Sequence, residues 1–146
     1  MYRIHEAQLQ LPAPVQDRSV NVLTYLEPET QAPFQIVVNR DVLVGEETIP
    51  QCFDRQLALL TRQTKQFKII RRQQQDRPGG LQPLCAVESS FSQGGQNFYQ
   101  LQCMLRLAAA PQVLVFTLSS STPLRQGHRQ FWDAMLKDLD PAMPVR

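Results

Sequence analysis

Asn97–Leu107 reads NFYQLQCMLRL, and its alternation decides the fold. Successive strand side chains point to opposite faces. Tyr99, Leu101, Cys103, Leu105 and Leu107 therefore share one face, and Phe98, Gln100, Gln102, Met104 and Arg106 share the other. The first set is cleanly apolar with period two, which is a strand signal and not a helical one. On the N-terminal side, Gly94-Gly95 marks a hairpin turn that joins it to a strand over Leu84–Phe91. On the C-terminal side, Pro111 sits in the next turn and Val113–Ser119 (VLVFTLS) is apolar on both faces, as a central strand is.

Reading outward from this core extends the sheet. Phe67–Gln75 (FKIIRRQQQ) is a strand closed by an Arg77-Pro78-Gly79-Gly80 turn. Ser19–Leu26 (SVNVLTYL) and Phe34–Asn39 (FQIVVN) are β-branched strands joined as a hairpin through the Pro-containing loop Glu27–Pro33. Tyr2–Leu11 alternates weakly and ends at Pro12 and Pro14.

Two helices separate these runs. Thr48 is an N-cap with Pro50 in the first turn, and Phe53, Leu57, Leu60 and Thr64 make a buried stripe that Leu59 broadens. A second helix runs from about Pro123 or Arg125 to Leu139 and ends before Pro141. Phe131, Met135 and Leu139, with Trp132 and Leu136, form its apolar side. Hairpin-linked strands with helices set apart define an α+β class. The expectation is one domain over residues 1–146. It holds a single antiparallel β-sheet of about six or seven strands, with both α-helices on one face and the other face forming a groove.

Composition narrows the function. With 42% hydrophobic and 19% charged residues over 146 positions, the chain is globular. A net charge of +2 lacks the clustered basic excess of a nucleic-acid binder. Two histidines, His5 and His128, and three cysteines, Cys52, Cys85 and Cys103, support neither a metal site nor a disulfide framework. No P-loop, dinucleotide fingerprint, nucleophile elbow or zinc motif is present, so no catalytic residue, no cofactor and no enzyme is expected. Cys52 reads as a small buried residue of the helix stripe, and His128 as a surface residue. The N-terminus lacks the pattern of an export signal or a lipidation site, and no stretch approaches the ~18 apolar residues of a membrane span. A soluble, cytoplasmic protein is expected, without direct membrane anchoring.

The helix-free face is the candidate site. Val20 and Val22 come from one strand. Its partner buries the bulkier Phe34, Ile36 and Val38, which turns Gln35 and Val37 outward. The long strand adds Phe98, Gln100, Gln102 and Met104. An apolar surface with amides set into it is an interaction site, or is covered by a second copy. Six strands at ~4.8 Å give ~29 Å, close to the ~30 Å of a membrane-spanning helix. Between apolar helices, amide side chains supply hydrogen bonds and small residues allow close approach.

The opening YRIHEAQLQLPAPVQDRSVNV, then RQLALL, YQLQCML and FWDAMLKDL, together resemble the effector-associated (Eag) chaperones of bacterial type VI secretion, in the same order along nearly the whole chain. The resemblance implies a small cytoplasmic α+β homodimer. It implies binding to the N-terminal transmembrane helices and PAAR region of a cognate effector, shielding them until the effector is loaded on the secretion spike. Carried over, the family's apolar groove positions fall on Val20, Val22 and Val37, and its helix-bonding glutamines on Gln56 and Gln102. Gln56 rests on the resemblance alone. A lipid, a small molecule or another protein on the same face is the alternative.

Overall fold

The computed structural model describes residues 2–3, 8–11, 18–75, 84–106, 112–137 and 139. Their elements are β1 (Tyr2–Arg3), β2 (Gln8–Leu9), β3 (Asn21–Leu26), β4 (Pro33–Val42), α1 (Ile49–Gln63), β5 (Lys65–Gln75), β6 (Leu84–Gln93), β7 (Gln96–Arg106), β8 (Gln112–Ser120) and α2 (Gln126–Lys137). β1 and β2 pair as a short ribbon, while the other six strands form one antiparallel sheet in the order β3-β4-β8-β7-β6-β5. The α+β class and the single antiparallel sheet are as expected. The turns placed at Arg77–Gly80 and Pro111, and the helix stop at Pro141, lie outside the described residues.

Local chemistry sets the element ends. Thr48 caps α1 reciprocally: its Oγ1 accepts from the Gln51 amide at 3.3 Å, and the Gln51 Oε1 accepts from the Thr48 amide at 2.9 Å. Gly94 and Gly95 both take positive φ, 61° and 78°, in the two-residue turn between β6 and β7. That conformation matches the twist of the flanking strands and is open to glycine at no steric cost.

The two helices lie on opposite faces of the sheet, which corrects the one-face expectation. Trp132 of α2 packs with Phe34, Ile36, Leu101, Cys103, Leu105, Phe116 and Leu118. Cys52, Phe53 and Leu57 of α1 pack with Cys85, Val87, Met104, Val113 and Val115. Within β7 and β8 these two sets alternate, so they point to opposite sides. Two buried clusters on one sheet need two covers. The run Val113–Leu118, apolar on both faces, carries that requirement.

His128 is also corrected: it is fully buried at the start of α2. Its Nδ1 accepts the Arg125 amide at 2.9 Å, and its ring meets Phe34 edge-on. The proton therefore sits on Nε2, which has no partner. Burial, opposed by the nearby Glu27 carboxylate, pulls the imidazole below its ordinary value of about 6.5. A depressed histidine favours the folded state fully above that ordinary value and progressively less as pH falls through it. Chemical denaturation should therefore give a lower midpoint at pH 5 than at pH 7.5. His128→Gln should flatten that difference, because an amide at this position still accepts the Arg125 amide without titrating. Equal midpoints for the wild type would refute the assignment. Glu47 and Glu88, held below the usual carboxylate range mainly by Arg55 and Arg129, lose their contribution only at lower pH.

Candidate functional site

Strand register arranges the α1 side of the sheet in rows that cross the strands. The first row, Cys85–Met104–Val115–Asn39, lies largely beneath α1. The second row runs Val22–Val37–Thr117–Gln102–Val87, and the third runs Thr24–Gln35–Ser119–Gln100–Ser89, reaching Ile69 of β5. α1 covers one end of the strands and ends as a wall. Beyond it the second and third rows form a floor that is exposed at Val22 and Gln35, half-buried at Val37, Ser119, Gln100 and Gln102, and buried at Thr117, Val87 and Ser89.

The floor has three chemical zones. Val22 is 53% exposed, and with the half-buried Val37 it makes an apolar end over β3 and β4, next to the exposed Val20 that precedes β3. At the other end Phe67, Phe91 and Phe98 stack in a ladder, with centroids 6.4 and 5.4 Å apart. Between them lies a strip of hydroxyls and amides. Gln102 Nε2 donates to Thr117 Oγ1 at 3.2 Å, and Gln100 Nε2 donates to Ser119 Oγ at 3.3 Å. The carbonyl oxygens of both glutamines and the Ser89 hydroxyl are buried without a partner. Turning either amide over would merely exchange which of its polar atoms is left unpaired. Unpaired buried polar groups cost about 1–3 kcal/mol each, and the half-buried Gln100 and Gln102 side chains are the two that can turn outward to complete their bonding with an incoming group.

The wall is fixed by charge. Arg55 of α1 grips Glu47 with two hydrogen bonds, Nε to Oε2 at 3.0 Å and Nη2 to Oε1 at 3.1 Å, and lies 3.7 Å from Asp41 of β4. Gln56 Nε2 donates to the same Asp41 carboxylate. Asp41 thus ties Gln56 to the sheet where the wall meets β4. Arg72 of β5 likewise pairs with Asp54 of α1. Cys52 sits beneath this wall, and burial pushes its thiol up to about 11, so it is unsuited to act as a nucleophile.

The structure brings Val22, Val37, Phe98, Gln100 and Gln102 to one face and sets Gln56 at its margin, while Val20, expected in the same strand as Val22, lies exposed just before β3. Met104 is corrected: it shares their face but is fully buried under α1, so it is core and not floor. Sequence reasoning missed Ser89, Thr117 and Ser119. Alternation within β6 and β8 already placed them on this side; only the cross-strand register joins them to the glutamines. It also missed Arg55, which joins α1 to Glu47 and Asp41.

The fold and site define a class: a single antiparallel sheet with one helix on each face, α1 covering only part of its side and leaving an amide-lined floor. The DcrB family model matches residues 6–138, and the chain belongs to the DcrB family. It is similar to "Effector EagT6" of Pseudomonas aeruginosa, 27% identical over 143 residues, covering 97% of this chain and 95% of that protein. The Eag resemblance read from the sequence motifs is borne out by this relative. Among solved structures, that of PA94, a Pseudomonas aeruginosa protein described as of unknown function, superposes with a TM-score of 0.79. It is 26% identical, with 99% of this chain and 96% of that one covered. No helix of the described residues is long and apolar enough to cross a membrane.

Proposed function

We propose that this protein is a non-enzymatic cytoplasmic chaperone of type VI secretion. It binds the N-terminal transmembrane helices of a PAAR-containing effector, as a homodimer, and shields them until the effector is loaded on the secretion spike. The unpaired carbonyls of Gln100 and Gln102, set between valines and phenylalanines on the floor, carry this reading. Similarity to the Eag relative supports it.

A membrane helix presents two kinds of surface, apolar side chains and small or hydroxyl-bearing positions. Val22, Val37 and Phe98 match the first by removing apolar area from water, at ~25 cal/mol per Å². Gln100, Gln102 and Ser89 match the second, as amides and hydroxyls do between helices in a bilayer. Gln56 extends that bonding at the α1 wall. The mechanism is passive: no nucleotide, metal or covalent step enters it. Release follows when the spike and target membrane offer the helices a better environment.

Co-expression with the N-terminal region of the adjacent PAAR-type effector, followed by size exclusion with light scattering, tests the proposal. A soluble complex of two chaperone chains with one effector fragment is expected. An effector that precipitates while this protein elutes alone overturns it, and bound lipid recovered by extraction would then favour a lipid-binding module.

A further inference from the structure

Gln56, Gln100 and Gln102 are backed by chemically different partners. Gln100 and Gln102 bond to the hydroxyls of Ser119 and Thr117. A hydroxyl both donates and accepts, so either amide can turn over and keep a bond. Gln56 is backed by the Asp41 carboxylate, which only accepts. Its Nε2 must face Asp41, because turning the amide over sets a carbonyl oxygen against a carboxylate.

Asp41 is itself held in place. By alternation it lies on the same face of β4 as Gln35 and Val37. Its Oδ1 accepts the Val42 amide at 2.7 Å, and Arg55 Nη2 stands 3.7 Å from its Oδ2. Arg55 is fixed in turn by its two bonds to Glu47. With Nε2 engaged, the polar side-chain atom that Gln56 has left is Oε1, and it accepts from none of the described residues.

We propose that Asp41 is a positioning residue that fixes the polarity of Gln56, so that the α1 wall offers a bound helix an acceptor and not a donor, and that the group it takes is a Ser or Thr hydroxyl of that helix. The inference rests on the function proposed above. The choice of group follows from helix chemistry. Beyond its first turn, the backbone N–H groups of a helix are already bonded internally. Its carbonyls cannot donate. An acceptor beside the body of an apolar helix is therefore met by a side chain that donates. Ser and Thr donate, and they are small enough to let helix and wall approach closely. Gln100 and Gln102, able to turn over, take donors or acceptors alike, so the demand for a hydroxyl comes from Gln56.

Complexes of each variant with the N-terminal region of the adjacent PAAR-type effector, challenged with excess fluorescent wild-type protein, give relative affinities by displacement. Asp41→Ala should weaken binding about fivefold, because Gln56 must then be ordered on binding. Asp41→Asn, which can still accept from Nε2, should recover most of that loss. Gln56→Met should also weaken binding about fivefold, the loss of one hydrogen bond, and adding Asp41→Ala to it should cost nothing more. In the effector fragment, each Ser of the apolar segments is replaced by Ala and each Thr by Val, one at a time. At one or more positions this should reproduce the loss against the wild type and have no effect against Gln56→Met. That cycle needs only Gln56→Met and holds even if the Asp41 variants fail to fold. An Asp41→Ala loss that adds to that of Gln56→Met makes Asp41 a structural residue of the wall and overturns the inference. So do hydroxyl removals that weaken both chaperones equally, or capture indifferent to Asp41 and Gln56, and these leave the proposed function standing. A wild-type protein that captures no fragment overturns that function, and the inference falls with it.

Discussion

Val22→Asp should abolish capture of the effector fragment while leaving the fold intact. Val22 is more than half exposed, so its carboxylate stays hydrated in the free protein and stability should change by no more than about 0.5 kcal/mol. Against an apolar helix the same carboxylate must be desolvated without a cation to pair with. The described residue facing it across the strands is Val37. The penalty is several kcal/mol, a loss of affinity of at least about a hundredfold. Val22 also belongs to the edge strand, so Val37→Asp, one strand further in, is the companion variant. Loss of capture by both, with circular dichroism unchanged, reports the floor and not the edge. Retained capture by both would remove the floor from the site. Unfolding of the Val22 variant would mean that this face is core.

The elements themselves were legible because each is amphipathic in its own period. Alternation at Tyr99–Leu105 placed β7 to within a residue of its observed ends, and Thr48 with Pro50 marked the start of α1. The parity of Phe34 and Ile36 against Gln35 and Val37 correctly assigned the two faces of β4. The side on which α1 packs was not legible from its own stripe. An apolar stripe says that a helix is covered, not which face of a sheet covers it. The informative residues lay elsewhere. Val113 and Val115 alternate with Leu114 and Phe116, so β8 needs cover on both sides, and Met104 beside Leu105 says the same of β7. The apolar positions on the α1 side give way to Thr117 and Gln102, where the wall ends.

Burial of single polar residues was hidden for a different reason. His128 lies near a helix start, where exposure is common, and its burial depends on Phe34 and Glu27 from a segment about a hundred residues earlier. The polar strip on the floor has the same origin. Ser89, Gln100 and Ser119 belong to three different strands, and each alone reads as an ordinary surface residue. Only the sheet order β8-β7-β6 and its register make them neighbours.

Replacing both amides, Gln100→Met with Gln102→Met, should lower capture while leaving stability nearly unchanged. Methionine keeps the length and unbranched shape of glutamine without its polar atoms. Each replacement removes an unpaired buried carbonyl that costs about 1–3 kcal/mol, but leaves the hydroxyl of Thr117 or Ser119 without its glutamine partner at a similar cost. The two effects offset, so the thermal midpoint should move by no more than a few degrees in a chain this size. Effector binding should weaken at least about tenfold, because hydroxyl and backbone donors of the bound helix lose their acceptors. Capture must fall without a matching fall in the midpoint if the amides serve the ligand more than the fold. A lower midpoint with unchanged capture would assign Gln100 and Gln102 to the sheet itself, leaving the valines and phenylalanines to bind by burial alone.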